Sequence, residues 1–243
     1  MLEGIALAHL VALAVALFVG ATVHGVVGLG VGLLLAPMTG LVEPSLLPGV
    51  PLWMALVLPL LTLARDRGHT DWSGLAWALP SRIPGTALGV LVVALASDRV
   101  VGIAVGVMVL AAVVLTVRTV DVAIAPHTLV TAGVISGVTG TATSIGGPPL
   151  ALLYQHRPHD QVRPTLGVYF VSGAAFSLIA LALTGQMYLR DAVVAGVLLP
   201  VLVAGFATSN LVRRRVPIHR MRAAMLAVCA ASAVVLVARS LLA

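Results

Sequence analysis

Two glycine- and proline-rich stretches and one isolated arginine are where this chain can do chemistry. The first stretch reads Gly28-Leu29-Gly30-Val31-Gly32, with Pro37 following; the second reads Thr141-Ala142-Thr143-Ser144-Ile145-Gly146-Gly147-Pro148-Pro149. A helix restarting after such a break aims unpaired N–H groups and its positive dipole end at the gap. Proline suits that restart, because its missing N–H has no helical partner to lose. Two such ends that meet would hold an anion with little formal charge, and the hydroxyls of Thr141, Thr143 and Ser144 lie beside the second. The competing reading is that the glycines only let helices pack closely. Arg82 is the one charge inside a long apolar block, nine residues past Ser73, or ~14 Å along a helix. It reads as a counter-charge for the same anion, against snorkelling to the block's edge or a structural bond to carbonyls. The candidate binding set is Gly28, Gly30, Gly32, Arg82, Gly140, Thr143, Ser144, Gly146, Gly147 and Pro148. No spacing supports a nucleophile with its base or a metal-ligand set, so neither an enzyme nor a cofactor is expected.

Composition sets the elements that must position these residues. Of 243 residues, 60% are hydrophobic and 9% charged, and the mean hydropathy is +1.13; an ordinary soluble domain carries roughly 25% charge. A soluble fold this apolar would leave greasy surface in water. A bilayer removes the conflict, so the chain is expected to be an all-α bundle of membrane helices. The net charge of +6 is no nucleic-acid signature: all 14 basic residues are arginines, and aromatics make up only 4%, too few for stacking on bases. Most of the arginines fall between apolar runs, where the positive-inside bias puts them. The N-terminal stretch, with Glu3 its only charge, reads as retained structure rather than a leader.

One crossing needs about 20 residues. Blocks 44–64, 73–97, 100–117, 165–189, 192–212 and 223–238 read as six full spans. Blocks 4–42 and 122–154 are too long: the first would be ~58 Å as one helix, against a hydrocarbon core of about 30 Å. Each holds a Gly/Pro-rich break, at 25–37 and 137–149, and reads as a broken or re-entrant helix; eight simple spans are the alternative. The halves also echo each other. Asp71, Pro80 and Gly85 recur 120 residues on as Asp191, Pro200 and Gly205, and Gly25-Val26-Val27-Gly28 recurs 112 residues on as Gly137-Val138-Thr139-Gly140. Residues 1–120 and 121–243 are therefore expected to be two membrane repeats of one transmembrane domain. Eight simple spans divide the thirteen loop and terminal arginines five against eight; two re-entrant blocks divide them ten against three, with Arg99, Arg190 and Arg239 in the minority. The second arrangement obeys the charge bias better and makes the repeats inverted, a common transporter plan. Both arrangements put the basic segment 213–222 in the cytoplasm and the C-terminus outside; they differ over 65–71.

The remaining polar residues carry plainer readings. Asn210 reads as a cap or an interhelical bond rather than a substrate ligand. His24 reads as a hydrogen-bonded helix histidine ahead of a proton sensor, and His156 and His159 as part of a solvated basic loop. Cys229 reads as a small buried hydrophobe. All eight acids fall at ends or loops, and none is visible as the buried carboxylate that coupled carriers commonly use. Uniport of the anion, or coupling through unrecognised groups, is the expectation.

The glycine-rich break in each half, Pro37 and Pro148-Pro149 closing them, and the Thr70-Asp71-Trp72 loop entering the next span resemble the TauE/SafE sulfite-exporter family over about residues 17–242. The resemblance implies a secondary permease of the plasma (inner) membrane for sulfite, an organosulfonate, or a related sulfur-containing or carboxylate anion. It carries the family's glycine motifs onto Gly28, Gly30 and Gly32, and onto Gly140, Gly146 and Gly147. The chain departs from the family's consecutive-glycine run, having Gly30-Val31-Gly32 in one half and only Gly146-Gly147 in the other. An anion channel, or a non-transporting membrane subunit of a complex, are the alternatives. The partners expected are a small anionic solute and the lipid bilayer, without nucleic acid, and with room for a homo-oligomer.

Overall fold

Long runs of Ala, Leu and Val leave the backbone no partner but itself once water is gone, so the chain satisfies its N–H and C=O groups as helix. The structure, a computed structural model, describes residues 6–28, 31–65, 68–117, 122–216 and 218–242. Glu3, Leu29 and Gly30, named in the sequence reading, lie outside them, as do Asp66, Arg67, Arg118 and Asp121 among its acids and arginines. Among the described residues the fold is all-α: α1 (Leu7–Val27), α2 (Val31–Val42), α3 (Gly49–Arg65), α4 (Trp72–Leu95), α5 (Asp98–Val117), α6 (Pro126–Thr143), α7 (Pro148–Tyr154), α8 (His159–Leu183), α9 (Leu189–Arg215) and α10 (Ile218–Leu242). Six of them, α1, α4, α5, α8, α9 and α10, are long and apolar enough to cross a membrane.

The number of spans matches expectation, but one member differs. Block 44–64 opens as a single 3-10 turn at Pro44–Leu46 and becomes helix only at Gly49, because Pro44 and Pro48 withdraw two N–H donors. The resulting α3 has 17 residues. Conversely α1, with 21 residues, is about 31 Å long and spans by itself. The breaks are also narrower than expected. Helix α1 runs through Gly25 to Val27 and α2 contains Pro37, while α6 runs through Gly137 to Thr143.

Contacts at the helix ends give each helix a direction. At one end the His9 ring meets the Glu43 carboxylate at 3.3 Å, so α2 returns to the end from which α1 departs. Arg190 Nη1 donates to Ser45 Oγ there, and Arg99 Nη2 donates to Leu241 O. At the other end the Gly25 carbonyl accepts from Arg65 and Arg163, and Thr116 O accepts from Arg222. This arginine-rich end also holds Asp71, which caps α4 through Gly74 N (3.0 Å) and accepts from Tyr154 Oη (2.7 Å) at the close of α7. Helices α1, α3, α5 and α9 run toward the arginine-rich end, and α4, α6, α8 and α10 run away from it. Trp72 lies exposed at that end and Tyr188 at the opposite one, where amphipathic rings suit the two interfaces.

The glycines echoed between the halves do matching work. A methyl on Gly85 would sit 2.2 Å from Val134 O of α6, and one on Gly205 would sit 2.6 Å from Phe18 O of α1. Gly137 packs in the same way on Arg82 O and Thr86 N of α4, whereas Gly25 meets the side chains of Phe206 and Ser209 of α9. So α4 lies along α6, and α9 along α1, at backbone-to-backbone distance.

Gly85→Ala is expected to cost about 1–3 kcal/mol through overpacking and lower the melting temperature by several degrees. Gly196→Ala, whose methyl meets nothing within 4 Å, should leave it unchanged; thermal unfolding in detergent checks both. A second prediction concerns Glu43, whose carboxyl is held below the usual carboxylate range first by the Ser45 hydroxyl at 2.6 Å and, further, by His9 and Arg190. A lowered carboxylate contributes stability above its unfolded value and loses it as pH falls through the folded one. The melting-temperature deficit of Glu43→Gln should therefore be small at neutral pH, since the group is partly exposed and its partners are screened by solvent, and vanish on acidification.

Candidate functional site

Two cavities enter the bundle from opposite ends. The first, about 530 Å³, has Arg157, Arg163, Arg213 and Arg222 among its lining residues and reaches inward to Arg82, Gly140, Ser144 and Gly146. The second, about 740 Å³, is lined by Ser45, Pro48, Arg99, Arg190, Asp191 and Arg239. Ser144 lines one and Pro48 the other, and Ser144 Oγ donates to Pro48 O at 2.9 Å between them.

Of the candidate residues, Gly28, Gly32, Arg82, Gly140, Ser144, Gly146, Gly147 and Pro148 all line the first cavity. Gly30 lies outside the described residues. Thr143 does not face the cavity: its hydroxyl bonds back to Thr139 O, as helix-interior hydroxyls do. Thr141 is taken by Ser177 at 2.8 Å, which leaves Ser144 as the hydroxyl of the three that reaches the cavity. The two chain breaks do meet. A methyl on Gly32 would lie 3.1 Å from Ser144 O, and Gly140 and Gly146 approach so closely that a methyl on either would lie within 3.2 Å of the other's Cα. Gly28 is apart from this meeting point. It ends α1 in the left-handed conformation (φ +89), beside the Arg163 side chain. Ser144 also has positive φ, at 62°, a conformation costly for a residue with Cβ.

Arg82 is 3% exposed, and its Nε and Nη1 have no hydrogen-bond partner. Snorkelling is thus overturned: α4 continues through Pro80 and Pro84 and holds the side chain inside the bundle. Three glycines flank its guanidinium on two sides, for a methyl on Gly140 would sit 2.7 Å from Nη2, on Gly146 3.0 Å from the same atom, and on Gly173 1.9 Å from Cζ. The Tyr169 ring faces it, with its centroid 4.9 Å from Cζ. That stack is worth about 2 kcal/mol when desolvated. It does not replace the hydrogen bonds that a buried guanidinium requires. Leu202, the residue 120 positions on, is fully buried in an apolar cluster, so no second charge stands there.

Of four other readings, those of His24 and Asp191 are corrected and those of Asn210 and Cys229 stand. His24 is buried against the first cavity, but its Nδ1 lacks a partner; the adjacent Gly25 carbonyl is already taken by Arg65 and Arg163. Asp191 does lie at a helix end, yet it is 4% exposed, because Gly49 lets the first turn of α3 close to within 2.3 Å of Oδ2, measured from a methyl there. A buried carboxylate therefore exists. Asn210 makes an interhelical contact, accepting from Arg65 at 3.4 Å, and Cys229 is buried. Tyr169, Gly173, Pro48 and Arg163 were not legible as site residues, since each reaches the site from an element distant in sequence.

A multi-pass helical bundle with facing cavities and a guanidinium buried at the inner end of one of them suits a membrane transporter of a small solute. The profile of the sulfite exporter TauE/SafE family matches residues 12–236, and the chain belongs to that family. No curated protein and no solved structure matches it.

Ser144→Ala removes one buried hydrogen bond, worth about 1 kcal/mol, and leaves a Cβ at positive φ. Ser144→Gly loses the same bond but regains about 1 kcal/mol of backbone strain. The glycine variant should melt above the alanine variant, despite having less side chain to bury.

Proposed function

We propose that the chain is a secondary carrier for a small oxyanion, such as sulfite, an organosulfonate, or a related sulfur-containing or carboxylate anion, bound at Arg82 where the two chain breaks meet. The observation that carries this reading is a buried guanidinium with two unpartnered nitrogens at the inner end of a cavity. An oxyanion would supply the charge and the acceptors it lacks. Gly28, Gly32, Gly140, Gly146, Gly147 and Pro148 form the rest of the wall, and Ser144 the hydroxyl at its closed side. Thr143 is not retained in this set. A carrier is favoured over an open channel by the Ser144–Pro48 bond standing between the two cavities.

We further propose that residues 1–120 and 121–243 are inverted repeats. The opposed directions of α1 and α6, α2 and α7, α3 and α8, α4 and α9, and α5 and α10 support it, as do the reciprocal packings of Gly85 on α6 and Gly205 on α1. The positive-inside bias then puts the arginine-rich end, with the first cavity, in the cytoplasm of a plasma (inner) membrane and the C-terminus outside.

Purified protein in liposomes should take up sulfite saturably, and Arg82→Ala should lose at least about tenfold in flux, the loss of one charge-assisted bond, while keeping its yield. Wild-type flux in that variant would end the proposal.

A further inference from the structure

The Arg82 guanidinium is held from one side by a single helix. Tyr169 and Gly173 stand one turn apart on α8 and therefore share a face. Both are drawn toward Arg82, the first with its ring 4.9 Å from Cζ, the second with no side chain at all. A methyl on Gly173 would lie 1.9 Å from Cζ, 2.2 Å from Nη1 and 2.4 Å from Nε. These contacts involve the guanidinium itself rather than its flexible stem, so the side chain could make room only by moving its charged head. On the far side, Gly140 and Gly146 stand at Nη2. The head is thus confined between the chain break of one half and a bare, aromatic-backed strip of α8. Tyr169 is fully buried, with its ring over the guanidinium.

Resting on the assignment of Arg82 as the anion ligand, we infer that Tyr169 and Gly173 are positioning residues that set where the Arg82 guanidinium presents its donors to the anion. Neither touches the solute; both act through the arginine. Gly173 excludes everything but hydrogen from the face of the guanidinium, and Tyr169 supplies a flat, electron-rich surface that holds the plane without competing for its N–H groups. A guanidinium displaced by even an ångström would keep its charge in the bundle and lose its alignment with the break.

The test is equilibrium binding of radiolabelled sulfite to the purified full chain, with yield and melting temperature recorded for each variant. Gly173→Ala should weaken binding by about tenfold or more, the equivalent of one charge-assisted hydrogen bond. Tyr169→Phe should bind within about twofold of wild type because the ring remains, and Tyr169→Leu should weaken with Gly173→Ala. In an Arg82→Lys background, which has no guanidinium plane to collide with, Gly173→Ala should change the remaining affinity by less than about twofold. Gly167→Ala, on the same helix but meeting only the Leu63 side chain, should bind as wild type. An equal loss from Gly173→Ala in both backgrounds, or no loss in the wild-type background, would overturn the positioning role. Undiminished binding by Arg82→Ala would instead overturn the assignment of Arg82 itself. If Gly173→Ala does not fold, Tyr169→Leu against Tyr169→Phe in the two backgrounds decides the same question.

Discussion

An arginine buried inside a membrane bundle, without hydrogen bonds to two of its nitrogens, is the constraint around which the rest of this structure is arranged. Removing a guanidinium from water costs several kcal/mol unless its charge and donors are met. The protein meets neither requirement fully. It offers an aromatic face and bare glycine backbone, which accommodate the group without neutralising it. The glycines at 140, 146 and 173 are there because any side chain would occupy the volume of the guanidinium.

That arrangement explains why the chain breaks stand where they do. An interrupted helix inside lipid is tolerated only where protein or a wet cavity satisfies its backbone, and here the two breaks pack on each other and line the first cavity. Ser144 ends α6 in the left-handed region and is tied to Pro48, while Gly32 at the start of α2 packs against the Ser144 carbonyl. One contact therefore joins the two halves of the chain and separates two cavities that approach from opposite ends. Small residues at the α4–α6 and α1–α9 crossings allow this closeness, since packing rather than water exclusion holds helices together in a bilayer.

Electrostatics at the two ends is uneven. Arg65, Arg163 and Arg222 donate to backbone carbonyls at the end where the first cavity opens. There they give a small anion an attractive approach. The opposite end holds Arg99, Arg190 and Arg239, but also Glu43 and the buried Asp191, so its cavity is of mixed sign.

Composition and block length by themselves determined an all-helical membrane bundle, two broken segments and a lone intramembrane arginine. Those properties follow from hydrophobicity and the fixed rise of a helix, which are local. Two glycines of the 120-residue echo, Gly85 and Gly205, sit at backbone-to-backbone crossings, which tolerate little else at those positions. What tertiary structure decided is which residues surround the charge. Tyr169 and Gly173 lie more than eighty residues from Arg82, and Gly173 looks in sequence like any other small residue in an Ala/Leu/Val helix. Asp191 showed only as a loop-edge acid until Gly49 brought α3 over it, and Thr143 looked available until its own helix claimed its hydroxyl. Burial, and with it the energetic meaning of a charge, is a property of what packs against a residue. No run of neighbouring letters contains that information.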